Sequence, residues 1–420
     1  MLLKNASFVL YSKELKILKN FSIRIAEGKI ERIGKLLKKE RGEEVIDCKG
    51  KLVMPGLINT HTHASMTLFR GLGEDMELHE WLKKKIWPME SKLNPRDVFK
   101  GAMLAIMEML KTGTTMFADM YFFMDQVAEA CKKLGIKGVL STGVMDFPTP
   151  ESKNPLKEAE RFIKRWKNKH KLITPSIGPH SIYSCGKETL EEVKRIAEEN
   201  DVLIQIHLSE TRREVYEAWK KYKLRPVEYL KSIDFLSERV LAAHSSWLTK
   251  QEVKILSEYD VKVSHCPVSN MKLATGGVIP LPEMMKQKVT VSLGTDGAAS
   301  NNSLNMFETM KFAALLHKHA RWDPTITKSK QIVKMATIEG AKALLMKTTG
   351  SLEEGKDADI IILNLNTPNW KPLHDVFANL VYSTYPSNVE TVIVDGKVVV
   401  KDFKLTQFDE KKILRWFDGS

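Results

Sequence analysis

Cysteine is scarce: four residues in 420, at positions 48, 131, 185 and 266, none close enough to another to form a CxxC pair. That spacing signals neither a disulfide framework nor a structural zinc knuckle, so the four read as buried free thiols. Long apolar runs are missing too. No stretch approaches the ~18 residues needed to cross a bilayer, and the opening MLLKNASFVLYSKELK has no signal-peptide core. A soluble, cytoplasmic protein with no membrane partner is expected. There is no internal repeat and no low-complexity linker. Glutamine is down to six among abundant Lys and Glu, a composition that leans toward a heat-adapted source.

Acidic residues are outnumbered, 52 Asp+Glu against 65 Lys+Arg, for a formal net charge of +13. A nucleic-acid binder would group its cations in runs interleaved with aromatics. Here the lysines sit beside glutamates, as in KETLEEVKRIAEEN at 187–200, which is how a solvated helix face reads. No nucleic-acid partner is expected. With 43% hydrophobic and 28% charged residues the chain resembles an ordinary globular protein and can bury a full core.

Both ends look all-β. Residues 1–52 (FVLYS, KILKNFSIRI, EGKIERIG) and 351–420 (ADIIILNL, ETVIVDGKVVV) read as short strands with turn signals, and are expected to meet as one small β-sandwich. Between them, in 53–350, short apolar runs alternate with helical patterns, which argues βα units on a parallel sheet. The runs fall at 53–60, 115–119, 138–143, 174–179, 202–207, 240–244, 261–265 and 290–295. Eight of them make an α/β fold of the TIM (β/α)8 barrel kind. Apolar residues spaced by three and four at 97–111, 187–200 and 304–319 suit helices that cover it. The connection after the first run is about fifty residues long, and loops of that length usually carry function.

VMPGLINTHTHASM closes an apolar strand with His61 and His63. Residues two apart on a strand share a face, so both imidazoles can meet one metal. Alone, such a pair is as well explained by core histidines. Its context changes that, because catalytic groups of a barrel gather at the C-terminal ends of several strands. VLIQIHLSE ends the fifth run with His207 and Glu210, VLAAHSS ends the sixth with His244, and VSLGTDG ends the eighth with Asp296. Core packing does not explain this many ligand types at four strand ends.

The ordered set PGLINTHTH, HLSE, AAHSS, HCPVSN and GTDGAASNN resembles the amidohydrolase superfamily over the whole chain, in its branch of cytosine deaminases, chlorohydrolases and deaminases of adenosine derivatives. The resemblance implies one zinc per chain, or iron in its place, held by His61, His63, His207 and Asp296. Binuclear relatives use a carboxylated lysine at the end of the fourth strand, where this chain has TPSIGPH and offers His180. A metal with an open position makes water acidic enough to attack near neutral pH. Asp296 is then expected to take the water's proton, His244 to orient the attacking oxygen, and Glu210 to protonate the ring nitrogen and the leaving ammonia.

For the substrate, LHEWLKKKIWPMESKL is most similar to the subgroup that deaminates S-adenosylhomocysteine, methylthioadenosine and 5'-deoxyadenosine. There a glutamate matching Glu90 accepts both ribose hydroxyls and a histidine matching His180 contacts the nucleoside. Trp81 and Trp87 are candidates for an apolar wall over the purine, or for barrel caps. His265 reads as structural, and His79, His170, His317, His319 and His374 as peripheral. Asn270, Asn301 and Asn302 stand in loops at the same face. No arginine occurs in 144–158, and Arg161 is the first that an anionic 5' tail would meet. A broad site preferring 5'-deoxyadenosine is expected, in a homo-oligomer, dimer or tetramer. The rival readings are a free-base deaminase or triazine-type chlorohydrolase, which needs no ribose-binding carboxylate, and an inactive amidohydrolase-like scaffold, which would have lost ligands.

Overall fold

The computed structural model describes residues 1–418, except the His79 side chain. Eight parallel strands lie in sequence order in one sheet: β1 (Leu57–Thr62), β2 (Thr114–Tyr121), β3 (Lys137–Val144), β4 (Ile173–Pro179), β5 (Ile204–Leu208), β6 (Val240–His244), β7 (Lys262–His265) and β8 (Val291–Leu293). All their residues but Thr174 are buried, which is why these strands read as continuous apolar runs rather than alternating ones. The sheet curls until its ends meet. Asn59 Nδ2 donates to Thr295 Oγ1 at 2.7 Å, and the Asp296 amide to the His61 carbonyl at 2.9 Å. Gly294 makes that approach feasible, because a Cβ there would lie 2.8 Å from His61 Cβ.

Helices cover the outside, as the periodicity implies. Pro95–Lys111 starts on a capping box between Asn94 and Asp97, and Lys187–Asn200 and Met306–Arg321 bury one face each. No helix among the described residues is long and apolar enough to cross a membrane.

The chain ends form a second, nine-stranded mixed sheet, in which Lys51–Pro55 pairs antiparallel with Ile360–Asn364. Its alternation explains the run IIIL. Ile360 and Ile362 pack with Leu3, Val9, Ile23 and Val53 in the terminal module's own core, whereas Ile361 and Leu363 face the barrel's core. The sheet is therefore buried on both sides. Inward residues from both chain ends, on neighbouring strands of one hydrogen-bonded sheet, share that small core. The run expected as a single strand over 53–60 is two strands. Lys51–Pro55 belongs to the terminal sheet and Leu57–Thr62 to the barrel, with the break at Gly56, where a Cβ would stand 2.1 Å from Thr115 Oγ1. The apolar run hides the break because both halves are buried, one in each sheet. The C-terminal part also carries helices, Val376–Tyr382 and Glu410–Leu414, that an all-β reading omits.

Candidate active site

The C-terminal ends of β1, β5, β6 and β8 bring His61, His63, His207, His244 and Asp296 together. His63 Nε2 lies 3.3 Å and His61 Nε2 3.6 Å from Asp296 Oδ1, and His207 Nε2 is 3.2 Å from His63 Nε2. The backbone bends sharply to aim them. His244 and Asp296 adopt left-handed φ of 66° and 63°, and Ser209, between His207 and Glu210, one of 50°. Non-glycine residues held there cost about 1–3 kcal/mol each and persist only where surrounding contacts enforce them.

Three of the imidazoles are oriented by the far nitrogen. His63 Nδ1 donates to the Met120 carbonyl at 2.6 Å, His207 Nδ1 to the His180 carbonyl at 2.8 Å, and His244 Nδ1 to Asn270 Oδ1 at 2.8 Å. These bonds place the proton on Nδ1 and leave Nε2 with a bare lone pair directed inward. Facing lone pairs and a carboxylate repel one another unless a cation lies between them, and His61 Nε2 is buried with no hydrogen-bond partner at all. The residues therefore fit a divalent metal ion. His61, His63 and Asp296 form one group whose ligand atoms lie within 4.8 Å of one another, and His61, His207 and His244 form a second.

The electrostatics agree with this. Burial works to raise the Asp296 carboxyl, but the imidazoles of His63, His244 and His61 and the Ser269 hydroxyl together hold it well below the usual carboxylate range. Ser269 and Ser300 hydroxyls donate to its Oδ2 at 2.6 and 2.7 Å. Burial pushes His61 and His207 toward the neutral form a metal requires. For His244 burial again disfavours charge, yet the Glu210 and Asp296 carboxylates outweigh it and raise the ring. Glu210 is raised by burial, with His244 drawing it partly back; its Oε1 stands 4.0 Å from His244 Nε2.

Above these groups a cavity opens to solvent. Its walls include His63, His180, His207, Glu210, His244 and Asp296, together with Glu90 and Trp81. Glu90 accepts the Tyr121 hydroxyl at 2.8 Å, and burial raises its carboxyl. His180 Nδ1 meets the hydroxyls of Ser184 and Ser181 at 2.9 and 3.1 Å, and burial lowers its pKa to about 4, so the ring is neutral. Trp81 is buried, with its indole N–H on the Leu72 carbonyl, while Trp87 is 45% exposed at the rim. Both line the cavity.

Other expectations sort differently. His317 is not peripheral: it is fully buried, with Nε2 3.1 Å from His265 Nε2. His319 and His374 are exposed and His170 is half-buried away from the cavity, whereas the His79 side chain lies outside the described atoms. Asn270 stands on helix Pro267–Lys272 rather than in a loop and orients His244, Asn301 donates to the Thr295 carbonyl, and Asn302 donates to Glu74, so the three asparagines order the walls. Arg161 pairs with Glu158 on the surface and does not line the cavity. Sequence reasoning missed Asp119, whose Oδ1 accepts the Ala64 amide and the Thr62 hydroxyl and so fixes the turn around His63. One carboxylate inside the apolar strand TTMFADMY was its visible signal.

The sequence profile of the amidohydrolase family matches residues 52–399. The 5'-deoxyadenosine deaminase of Methanosarcina mazei is 44% identical over 98% of this chain and 95% of its own length. The 5-methylthioadenosine/S-adenosylhomocysteine deaminase of Thermodesulfovibrio yellowstonii is 43% identical over 96% of this chain and 94% of its own. Among solved structures, a zinc-bound adenosine deaminase from Xanthomonas campestris superposes with a TM-score of 0.93 at 31% identity, over 99% of this chain and 97% of the other.

Proposed function

The chain belongs to the amidohydrolase family, and on that premise we propose that it hydrolyses the 6-amino group of 5'-substituted adenosines: 5'-deoxyadenosine, methylthioadenosine, S-adenosylhomocysteine and adenosine itself. The products are the inosine analogue and ammonia. The observation that carries this reading is the presence of Glu90 in the same cavity as the metal-type donor set, since a carboxylate suits a pair of ribose hydroxyls. The names of the relatives point the same way.

One zinc per chain, or iron in its place, would be held by His61, His63, His207 and Asp296. When bound it supplies Lewis acidity that brings the pKa of water toward ~7. Asp296, ionised throughout the working range, accepts the proton of the attacking water. His244, fixed by Asn270, orients the water's oxygen toward C6. Glu210 retains its proton to higher pH than an exposed glutamate and delivers it to N1 as the oxygen adds to C6. Glu210 then relays the hydroxyl proton to the amino group, which leaves as ammonia while the carbonyl forms, and the proton held by Asp296 returns to Glu210, restoring both carboxyls. Glu90 and Tyr121 hold the ribose, His180 contacts the nucleoside, and Trp81 walls the purine.

Four buried free thiols support a reducing, cytoplasmic setting. Tyr216 and Trp219, exposed on helix Arg212–Tyr222, support a homo-oligomer, dimer or tetramer, which sedimentation would resolve. The deciding experiment is an ammonia-release screen over adenosine, its 5' variants, guanine, cytosine and triazines. Turnover of the free bases or triazines without turnover of nucleosides would reverse the substrate assignment.

A further inference from the structure

The chain leaves β5 through left-handed Ser209, and this turn leaves two consecutive amides, those of Ser209 and Glu210, without strand partners. Both are taken by one side chain. Glu214 Oε1 accepts the Ser209 amide at 2.9 Å and Oε2 accepts the Glu210 amide at 2.8 Å. Glu214 is the third residue of helix Arg212–Tyr222, and its own amide donates to the N-cap Thr211 hydroxyl at 3.1 Å. A glutamate at this position ordinarily closes on the amide of the N-cap itself. This one reaches one and two residues further back, onto the peptide that carries Glu210. The Ser209 carbonyl is held from the other side by the Trp247 amide at 2.9 Å.

Glu214 is 4% exposed and does not line the cavity. Nothing about helix stability requires its carboxylate to lie there, since the Thr211 hydroxyl already caps the helix. We propose that Glu214 is a positioning residue for the reaction: its carboxylate locks the Ser209–Glu210 peptide so that the Glu210 carboxyl is aimed at the cavity beside His244. Only a carboxylate accepts two amides with two equivalent oxygens. A glutamine offers one acceptor and turns its NH2 toward the other N–H, leaving a buried donor unpaired.

The inference rests on the proton-transfer role given to Glu210 above, so the test is a double-mutant cycle on the metal-loaded enzyme with its best substrate. Glu214→Gln should lower kcat about 10- to 100-fold, the scale on which displacement of a reacting group by about 1 Å acts, with KM and metal content within about twofold. In the Glu210→Gln background the same change should lower kcat by less than about threefold, because the group being aimed is already gone. Additive losses, or metal loss in parallel with activity, would overturn the inference. Full activity of Glu210→Gln by itself would instead remove the role of Glu210, a separate failure. Thr211→Ala loosens the same helix turn without touching the carboxylate, and should reduce Tm while sparing kcat. An equal kcat loss there would assign the effect to general loosening and overturn the inference. Should Glu214→Gln not fold, Glu214→Asp, too short to reach both amides, takes its place in the cycle under the same criteria.

Discussion

Removing the 2'-hydroxyl from the substrate takes away one of the two donors that Glu90 is placed to receive. Among the described residues its carboxylate has a single internal partner, the Tyr121 hydroxyl on Oε1, so the remaining acceptor capacity faces the cavity it lines. Burial already raises this carboxyl, and a buried acceptor left without its donor is costly. A hydrogen bond to a charged group contributes about 1.5–3 kcal/mol, and every 1.4 kcal/mol is a factor of ten, so 2'-deoxyadenosine should show kcat/KM roughly 10- to 100-fold below adenosine. Deleting the 5'-hydroxyl, which Glu90 does not receive, should do little harm. Glu90→Leu should depress adenosine by the equivalent of both bonds, roughly 10²- to 10⁴-fold, and make adenosine and 2'-deoxyadenosine nearly equal. The assay is ammonia release under kcat/KM conditions, with metal content measured on the same samples, because metal loss would mimic the defect. A parent ratio near one, or a ratio that persists in Glu90→Leu, refutes the reasoning and restores the free-base reading.

Glu210→Gln should leave the metal bound and reduce turnover by about 10²-fold or more; near-normal kcat would assign proton delivery elsewhere. Activity should depend on one ion per chain: stringent chelation abolishes it, and Asp296→Asn loses both metal and rate. Elemental analysis giving two ions per chain, or full turnover after chelation, contradicts the single-site reading. Glu151 accepts the Phe123 amide at 2.7 Å, and burial pushes its carboxyl from the ordinary 4.5 up to about 7. Between those values the folded chain holds a proton the unfolded chain has lost, so this group's contribution is fully present below 4.5 and stability falls as pH rises through 7, by about 3 kcal/mol in total. Glu151→Gln should therefore gain on the parent above pH 7 in denaturant titrations, and identical pH profiles would dismiss this.

Much of the architecture is legible in one dimension because it repeats. Eight apolar runs spaced by amphipathic helices impose a parallel sheet with both faces covered, and the ligand types recur where each run ends. The imprecise places are those where burial erases periodicity. The run 53–60 spans two sheets without any change of hydropathy, and the terminal IIIL serves two cores at once. His317 reads as peripheral in the sequence because its partner, His265, lies on another element.

What the sequence by itself determined was the metal-type donors at the strand ends and the barrel that carries them, because residue type and strand-end position are local properties; Glu90 became a candidate ribose ligand only through the resemblance of LHEWLKKKIWPMESKL. Only the tertiary structure decided which nitrogen His63, His207 and His244 turn inward, since that depends on the Met120 and His180 carbonyls and on Asn270, all supplied by other elements. It alone joined Tyr121 to Glu90, Asp119 to the turn around His63, and Glu214 to the peptide of Glu210. The physical reason is that a hydrogen bond is set by distance and direction in space, and the left-handed turns at Ser209, His244 and Asp296 that create those directions are carried by ordinary residues whose identity does not announce them.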